Sequence, residues 1–113
     1  MNNFKTHIME SINKVELQGR VGSVRNGSGV TRFTLATNEV YNDRNGSQII
    51  ETTWHTCQVP EKAVSEPIEK GDWVAVFGRI RNYRYTDTDG NDRVSTGITV
   101  NKCIVKKHDE ESF

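Results

Sequence analysis

Several features that mark other classes of protein are missing from this 113-residue sequence. No apolar run approaches the ~18 residues needed to cross a bilayer, and the N-terminal residues lack the apolar core of a secretion signal. The two cysteines, Cys57 and Cys103, lie far apart, with no CxxC motif and no pair of histidines beside them. The sequence therefore predicts a cytoplasmic protein with buried free thiols and without a bound metal or cofactor.

Motifs of catalysis are also missing. The three histidines, His7, His55 and His108, are widely separated, and the chain contains no GxSxG, HExxH, Walker A or paired-carboxylate pattern. An enzyme would have to assemble its active site from positions that are distant in the sequence. We therefore expect a binding protein and not an enzyme.

The chain has no net charge, because its 15 Lys and Arg residues balance its 15 Asp and Glu residues. The acids are unevenly distributed along the chain. Residues 61–72 contain four acids and two bases, and positions 109–111 add three acids, which leaves 13 bases and 8 acids in the remainder. Because of this surplus of bases, the overall balance does not exclude nucleic acid as a partner.

Most of the chain consists of segments in which apolar and polar residues alternate, as they do in half-buried β-strands. Turns rich in glycine and asparagine separate these segments, and the first of the turns covers residues 25–29. In the first segment, Gly19 and Gly22 interrupt the alternation, which indicates a bend or a bulge. The predicted strands cover residues 13–24, 30–37, 49–59, 73–81 and 93–105.

The segment between the third and fourth strands is the only good helix candidate inside the domain. It runs from Glu61 to Lys70, with apolar residues at near-helical spacing and Gly71 as a stop, and Pro67 shortens it. Three strands, one helix and two longer strands are the element order of an OB-fold, a five-stranded Greek-key barrel. SH3-like and other small β folds share this arrangement, so it predicts an all-β fold class but no function.

The fourth strand carries the most informative pattern of side chains. Because alternate residues of a strand share a face, Arg79, Arg81, Tyr83 and Tyr85 lie together. Guanidinium groups can bind phosphates and flat rings can stack on unpaired bases, which together suit single-stranded nucleic acid. The alternative is an edge strand protected by charge, with its tyrosines packed over the ends of the barrel.

The other aromatic residues divide into two groups. Trp54 lies between two threonines of its own strand face, and Tyr41 lies at the mouth of the second hairpin, where an exposed ring needs a neighbour or a ligand. Taken alone, the pattern around Trp54 still favours a core residue. The residues with apolar neighbours, which we predict to be core, are Phe33, Trp73 and Phe77.

Six short motifs, in this order and spacing, resemble the bacterial single-stranded DNA-binding protein family. The resemblance covers about Asn13 to Val105. The motifs are Asn13-Lys14-Val15, Thr34-Leu35-Ala36-Thr37, Thr53-Trp54-His55, Lys70-Gly71-Asp72, Gly78-Arg79-Ile80-Arg81 and Tyr85-Thr86-Asp87. Each motif is weak by itself, but the ordered set is specific. The resemblance implies a non-enzymatic homotetramer of OB-folds that protects single strands in DNA replication, recombination and repair in the bacterial cytoplasm, with a dimer as the alternative assembly.

The resemblance also implies roles for particular residues. Trp54 matches a stacking tryptophan of the family, and Tyr41 and Tyr85 stand where the family often has tryptophan. Pro60 stands where the family commonly has a stacking phenylalanine, and His55 matches a residue at the subunit interface. Together with the strand pattern, the predicted nucleic-acid-binding residues are Tyr41, Trp54, Tyr83, Tyr85, Lys14, Arg32, Lys62, Arg79, Arg81 and Arg84.

The two ends of the chain differ from typical family members. We predict an N-terminal extension over residues 1–12, the OB-fold over 13–106 and a short acidic tip over 107–113. The family's long linker is absent, but the end of the chain keeps its acidic-then-Phe chemistry in Asp109, Glu110, Glu111, Ser112 and Phe113. This end is either a docking tip for replication and repair proteins or an ordinary polar terminus.

Two further functional hypotheses remain open. One is a protein-interaction OB-fold, such as an adaptor of a primosome-like replication-restart complex. The zero net charge and the proline at position 60 favour this hypothesis slightly. The other is RNA as the ligand in place of DNA, because nothing in the motifs reads the 2′-hydroxyl group.

Overall fold

The computed structural model describes residues 9–106, in which five strands form one closed barrel. The strands are β1 (Val15–Gly27), β2 (Val30–Asn42), β3 (Gln48–Pro60), β4 (Trp73–Thr86) and β5 (Asp92–Lys106). They pair in the order β1-β2-β3-β5-β4, and β4 pairs with β1 to close the barrel. All of these pairings are antiparallel except that of β3 with β5. The predicted all-β, five-stranded OB-fold is therefore confirmed. The predicted acidic tip lies outside the described residues.

Alternation along the strands builds the core, because every second side chain points into the barrel. Both cysteines are free and buried, as predicted. Burial raises the pKa of Cys57 to about 12, with a smaller contribution from Cys103, and burial raises the pKa of Cys103 to about 11. The apolar core consists of Val21, Phe33, Leu35, Cys57, Val59, Ile68, Val74, Val76, Ile98, Val100, Cys103 and Val105.

Two of the three aromatic residues that we predicted in the core lie at its surface. Phe33 is buried, but Trp73 and Phe77 are only half-buried. Val74 and Val76 occupy the inward positions of β4, so the odd-numbered residues beside them face outward. Cationic side chains cover both rings. The Arg20 guanidinium lies 5.2 Å from the centroid of Trp73, and Lys102 Nζ lies 5.9 Å from that of Phe77.

The predicted helix over Glu61–Lys70 is reduced to one 3₁₀ turn, Glu61–Ala63. The chain then becomes extended, because it binds to β5 in the manner of a short strand. Val64 forms an isolated parallel bridge with Cys103, and the Ser65 N–H donates to the Cys103 carbonyl at 3.2 Å. Pro67 also disfavours helical geometry at the residue before it. The segment between β3 and β4 therefore packs on the barrel through extended backbone and the buried side chain of Ile68.

The outer parts of the two long hairpins, which we call the β2–β3 arm (38–52) and the β4–β5 arm (82–96), have the same construction. Asp43 caps the tip of the first by accepting two backbone N–H groups at 2.9 Å, and Asp87 does the same in the second. A side-chain hydrogen bond joins Asn38 and Thr52 across the first arm, and another joins Asn82 and Thr96 across the second. Both arms are therefore pinned at the tip and at the base.

Candidate nucleic-acid interface

Trp54 lies on the outside of the barrel, with 60% of its surface exposed. Its partner in β2 is Ala36, and its ring extends across β2 to cover Gly22 in β1. A β-carbon at Gly22 would lie 2.6 Å from the ring carbon Cζ3, so only glycine leaves room for the indole there. The interpretation of Trp54 as a core residue is therefore wrong, and its ring offers an open face to solvent.

A groove on the outer surface brings together three of the predicted nucleic-acid-binding residues. It has a volume of about 510 Å³. Arg32 lines one side of the groove, and Tyr83 and Tyr85 line the other. The sequence analysis missed the remaining polar residues of its wall. The full lining consists of Arg25, Arg32, Thr56, Cys57, Gln58, Tyr83, Tyr85, Ser95 and Ile98.

The two tyrosines of this groove differ in how freely their rings can bind a ligand. Tyr85 is 52% exposed. Tyr83 is half-buried, and its hydroxyl group lies 2.6 Å from Thr99 Oγ1, within hydrogen-bonding distance. Its ring packs against Gly97, and the guanidinium of Arg81 lies 5.8 Å from its centroid. Tyr85 is therefore open for stacking, whereas Tyr83 forms part of the wall and supports Arg81.

A second groove brings Lys14 and Arg79 together where β1 begins beside β4. The Asn13 side chain fixes this corner, because its amide donates to the Ile80 carbonyl at 2.8 Å and its oxygen accepts the Ile80 N–H at 2.9 Å. By alternation, Arg79 lies on the same outer face as Arg81. The cationic row predicted along β4 therefore ends beside Lys14, in a groove that the acidic Glu16 also lines.

The structure does not bring Tyr41 to the face that carries Trp54. The register of β2 and β3 runs without a shift, so alternation places the two rings on opposite faces of the hairpin. Tyr41 is 47% exposed, and the next pair on its own face is Glu39 with Glu51, two carboxylates directly opposite each other. Binding of nucleic acid by Tyr41 stays a prediction, in a less favourable electrostatic environment than that of Trp54.

Three other predicted residues line neither of these two grooves. Arg84 is exposed but lies on the face of β4 opposite to Tyr85. Lys62 is exposed on the 3₁₀ turn beyond the end of β3. His55 is half-buried, and its Nε2 lies 2.9 Å from Thr37 Oγ1. Their roles in phosphate binding and at a subunit interface remain predictions.

The candidate arginines make no ion pair with a carboxylate within residues 9–106. Asp87 binds a different arginine, since its carboxylate accepts from Arg93 Nε at 2.9 Å. This hydrogen bond, followed by that from the Asn91 N–H, lowers the pKa of Asp87. In the same part of the chain, no group of three or more His, Cys, Asp or Glu side chains could hold a metal ion. No helix found there is long and apolar enough to span a membrane.

A closed five-stranded barrel that carries exposed rings and exposed guanidinium groups on its outer face defines an OB-fold protein with a candidate nucleic-acid interface. The chain belongs to the single-strand binding protein family, whose model matches residues 12–105. A single-stranded DNA-binding protein of Neisseria meningitidis serogroup A is 38% identical over 101 residues, which cover 81% of this chain and 58% of that protein. One of Rhizobium meliloti is 33% identical over 101 residues, with 80% and 58% covered. The chain therefore spans well under two thirds of the length of these curated relatives.

Solved structures show the same barrel. The Plasmodium falciparum SSB in complex with ssDNA superimposes with a TM-score of 0.66 at 29% identity, over 88% of this chain and 97% of that one. A deletion mutant of the single-stranded DNA binding protein from Thermus aquaticus gives 0.64 at 17% identity, over 85% and 51%. At that lower identity, the second likeness concerns the fold alone.

Proposed function

We propose that this chain binds single-stranded DNA without sequence preference, by stacking bases on exposed rings and by neutralising phosphates with arginine and lysine. The observation that carries the proposal is the joint exposure of Trp54 and Tyr85 on the outer surface, beside Arg32, Arg79 and Arg81. The names of the Neisseria and Rhizobium relatives and the ligand in the Plasmodium complex support it.

The energetics of the exposed rings favour a ligand over a purely structural role. Burial of apolar surface stabilises a protein by roughly 25 cal/mol per Å², so a half-exposed ring forgoes part of that contribution to folding. Stacking of a base on such a ring stabilises a complex by roughly 1–3 kcal/mol, and it tolerates any base because each has a π-face. Two exposed rings and several exposed cations therefore suit a partner with repeating bases and phosphates.

Fluorescence anisotropy of a labelled dT oligomer, measured at two salt concentrations, tests the proposal. We expect binding that weakens with salt, at a slope of about −0.7 per phosphate contacted. The double variant Trp54→Ala, Tyr85→Ala is expected to bind at least tenfold more weakly, because it lacks two stacking platforms. Val94→Ala is the matched control, since this exposed side chain lies on the opposite face of β4–β5 from Tyr85.

The outcomes separate the competing hypotheses. Wild-type protein that fails to bind the oligomer at low salt would contradict the proposal. Binding that survives the double substitution would favour the protein-interaction adaptor, in which DNA has a secondary role. A parallel titration with a uridine oligomer decides between DNA and RNA, and we expect the two affinities to differ little unless the 2′-hydroxyl group is contacted.

We also propose that the chain acts as a homotetramer, or as a dimer, that protects exposed strands during replication, recombination and repair. It would do so in the bacterial cytoplasm and without catalysis. The half-buried His55 would lie at the subunit interface, and the acidic end at 109–113 would recruit partner proteins. Light scattering with and without dT oligomers measures the mass of the assembly, and a monomer under both conditions would contradict this part of the proposal.

A further inference from the structure

Two arginines face each other on neighbouring strands beside the main groove. Arg25 of β1 and Arg32 of β2 are direct partners in the antiparallel register, and both are exposed. Side chains at such positions have β-carbons about 5 Å apart, and like charges placed there destabilise the sheet. Neither arginine has a carboxylate partner within residues 9–106, so no ion pair in this part of the chain offsets the repulsion.

An irregularity in β1 creates this arginine pair. The register shifts by one residue within the stretch 21–24, which is a β-bulge. Thr34 Oγ1 holds the bulge, since it lies 3.0 Å from the Ser23 N–H nitrogen and 3.1 Å from the Ser23 hydroxyl oxygen. The extra residue reverses the alternation, so Arg25 turns to the outer face where Arg32 lies.

The neighbours of the pair on β1, β2 and β3 are polar or apolar but uncharged, whereas across the groove Arg81 and Arg93 lie beside the two tyrosines. Gln58 of β3 is the next partner across the sheet from Arg32, and it lines the groove with Thr56. On the other side of the groove lies the open ring of Tyr85. The neighbours of the pair on the same outer face, as given by register and alternation, are Ser23, Gly27, Val30, Thr34, Thr56, Gln58 and Pro60.

We infer that Arg25 and Arg32 together bind a single phosphodiester group of a nucleic-acid strand that lies in this groove. Guanidinium groups bind phosphate oxygens through paired N–H donors, and two of them can share the oxygens of one group. The bound anion would remove the repulsion that the free protein tolerates. This inference rests on the proposed function. It adds the position at which a phosphate of the strand is bound, and it assigns a role to Arg25, for which the sequence analysis predicted none.

The position of Trp54 supports a nucleic-acid strand as the source of the anion. Trp54, Thr56 and Gln58 alternate on one face of β3, so the Cα of Trp54 lies on the order of 13 Å along the strand from that of Gln58, the partner of Arg32. The Trp54 ring itself covers Gly22, three residues before Arg25. A chain of stacked bases that leaves the indole along β3 would enter the groove between Arg32 and Tyr85. A free phosphate or pyrophosphate ion would use the same guanidinium groups but would not need either ring.

The salt dependence of dT binding tests the inference through the variants Arg25→Gln, Arg32→Gln and the double variant. A single phosphate shared by two arginines predicts that the double variant has a slope shallower by about 0.7, whereas each single variant keeps nearly the wild-type slope. Affinity at low salt should fall about tenfold in the double variant. The matched control is Arg20→Gln, because that guanidinium lies outside the groove and donates to the Gly71 carbonyl.

Each other outcome overturns the inference. An unchanged slope in the double variant would mean that the pair binds no phosphate, and a decrease of about 1.4, with half of it in each single variant, would mean two separate sites. The site would be one for free anions if pyrophosphate competed fully with the oligomer at the arginine pair and if the substitution Trp54→Ala did not weaken binding of the oligomer. Wild-type protein that does not bind dT at all would overturn the proposed function as well.

Thermal unfolding of the free variants gives an independent readout. Loss of one charge from a repelling pair should leave the melting temperature unchanged or raise it, while DNA binding weakens. If the pair were structural, both single substitutions would lower the melting temperature and the double variant would keep the wild-type slope, and the inference would be wrong.

Discussion

The contact between Gly22 and Trp54 allows a sharp test of how the stacking surface is built. In Gly22→Ala, the new β-carbon would lie 2.6 and 2.9 Å from two ring carbons of Trp54 and 2.8 Å from Thr34 Oγ1. Real side chains do not approach so closely, so the exposed indole must leave its position over β1. We expect dT affinity to fall by about one stacking contact, roughly 1–3 kcal/mol, which is about 5- to 150-fold.

The fold itself should tolerate the substitution. Gly22 does not have a positive φ, and the groups that must move, the Trp54 ring and the Thr34 hydroxyl, are side-chain atoms outside the buried core. The matched control is Gly27→Ala in the same strand, because a β-carbon there has no neighbour within 4 Å. Anisotropy with a dT oligomer measures both variants, and circular dichroism confirms that they are folded.

A double-mutant cycle identifies the cause of any loss. In the background Trp54→Ala, the further substitution Gly22→Ala should weaken binding little, because the ring that it displaces is already absent and only the close contact with Thr34 Oγ1 remains. Wild-type affinity in Gly22→Ala, or an equal loss in Gly27→Ala, would refute the reasoning.

Three further predictions concern other parts of the molecule. Tyr83→Phe removes a hydrogen bond to β5 and should lower the free energy of unfolding by about 0.5–1.5 kcal/mol in denaturant titrations, with dT affinity nearly unchanged. Because burial raises the thiol pKa from 9.0 to about 12 for Cys57 and to about 11 for Cys103, the stability that depends on protonated thiols is complete below pH 9. This stability should fall as the pH rises from about 9 toward 11–12. The measurement compares the melting temperatures of the wild type and of a variant with both cysteines replaced by alanine over this pH range. The same pH dependence in both proteins would contradict the prediction. Tyr41→Ala should weaken dT binding less than Trp54→Ala, since Tyr41 faces away from the groove; an equal loss by anisotropy would show that both faces bind.

Much of the barrel could be predicted from local pattern. The alternation of apolar and polar residues predicted all five strands. The two glycines of the first strand, Gly19 and Gly22, predicted an irregularity, and the structure shows one in the stretch 21–24. The prediction of a helix over Glu61–Lys70 was wrong, because the apolar residues of this segment lie in one 3₁₀ turn and in extended backbone that follows it. Ser65 and its neighbour Val64 bind to β5, and such long-range pairing leaves no signal in the local sequence.

The candidate interface could be predicted only in part, because it depends on register. The row from Arg79 to Tyr85 follows from alternation within one strand. Arg25 could not be found in this way, since it stands in a glycine-rich stretch that resembles a turn, and the bulge before it reverses its face. The separation of Tyr41 from Trp54 likewise requires the register between β2 and β3.

The most direct test of the account uses the intrinsic fluorescence of Trp54. In Trp73→Phe, the remaining tryptophan is the exposed one on the outer face of β3. We predict that a dT oligomer quenches its emission at low salt, and that added salt reverses the quenching in parallel with the anisotropy of the labelled oligomer. Binding seen by anisotropy with no change in the emission of Trp54 would contradict the central claim that bases stack on this surface.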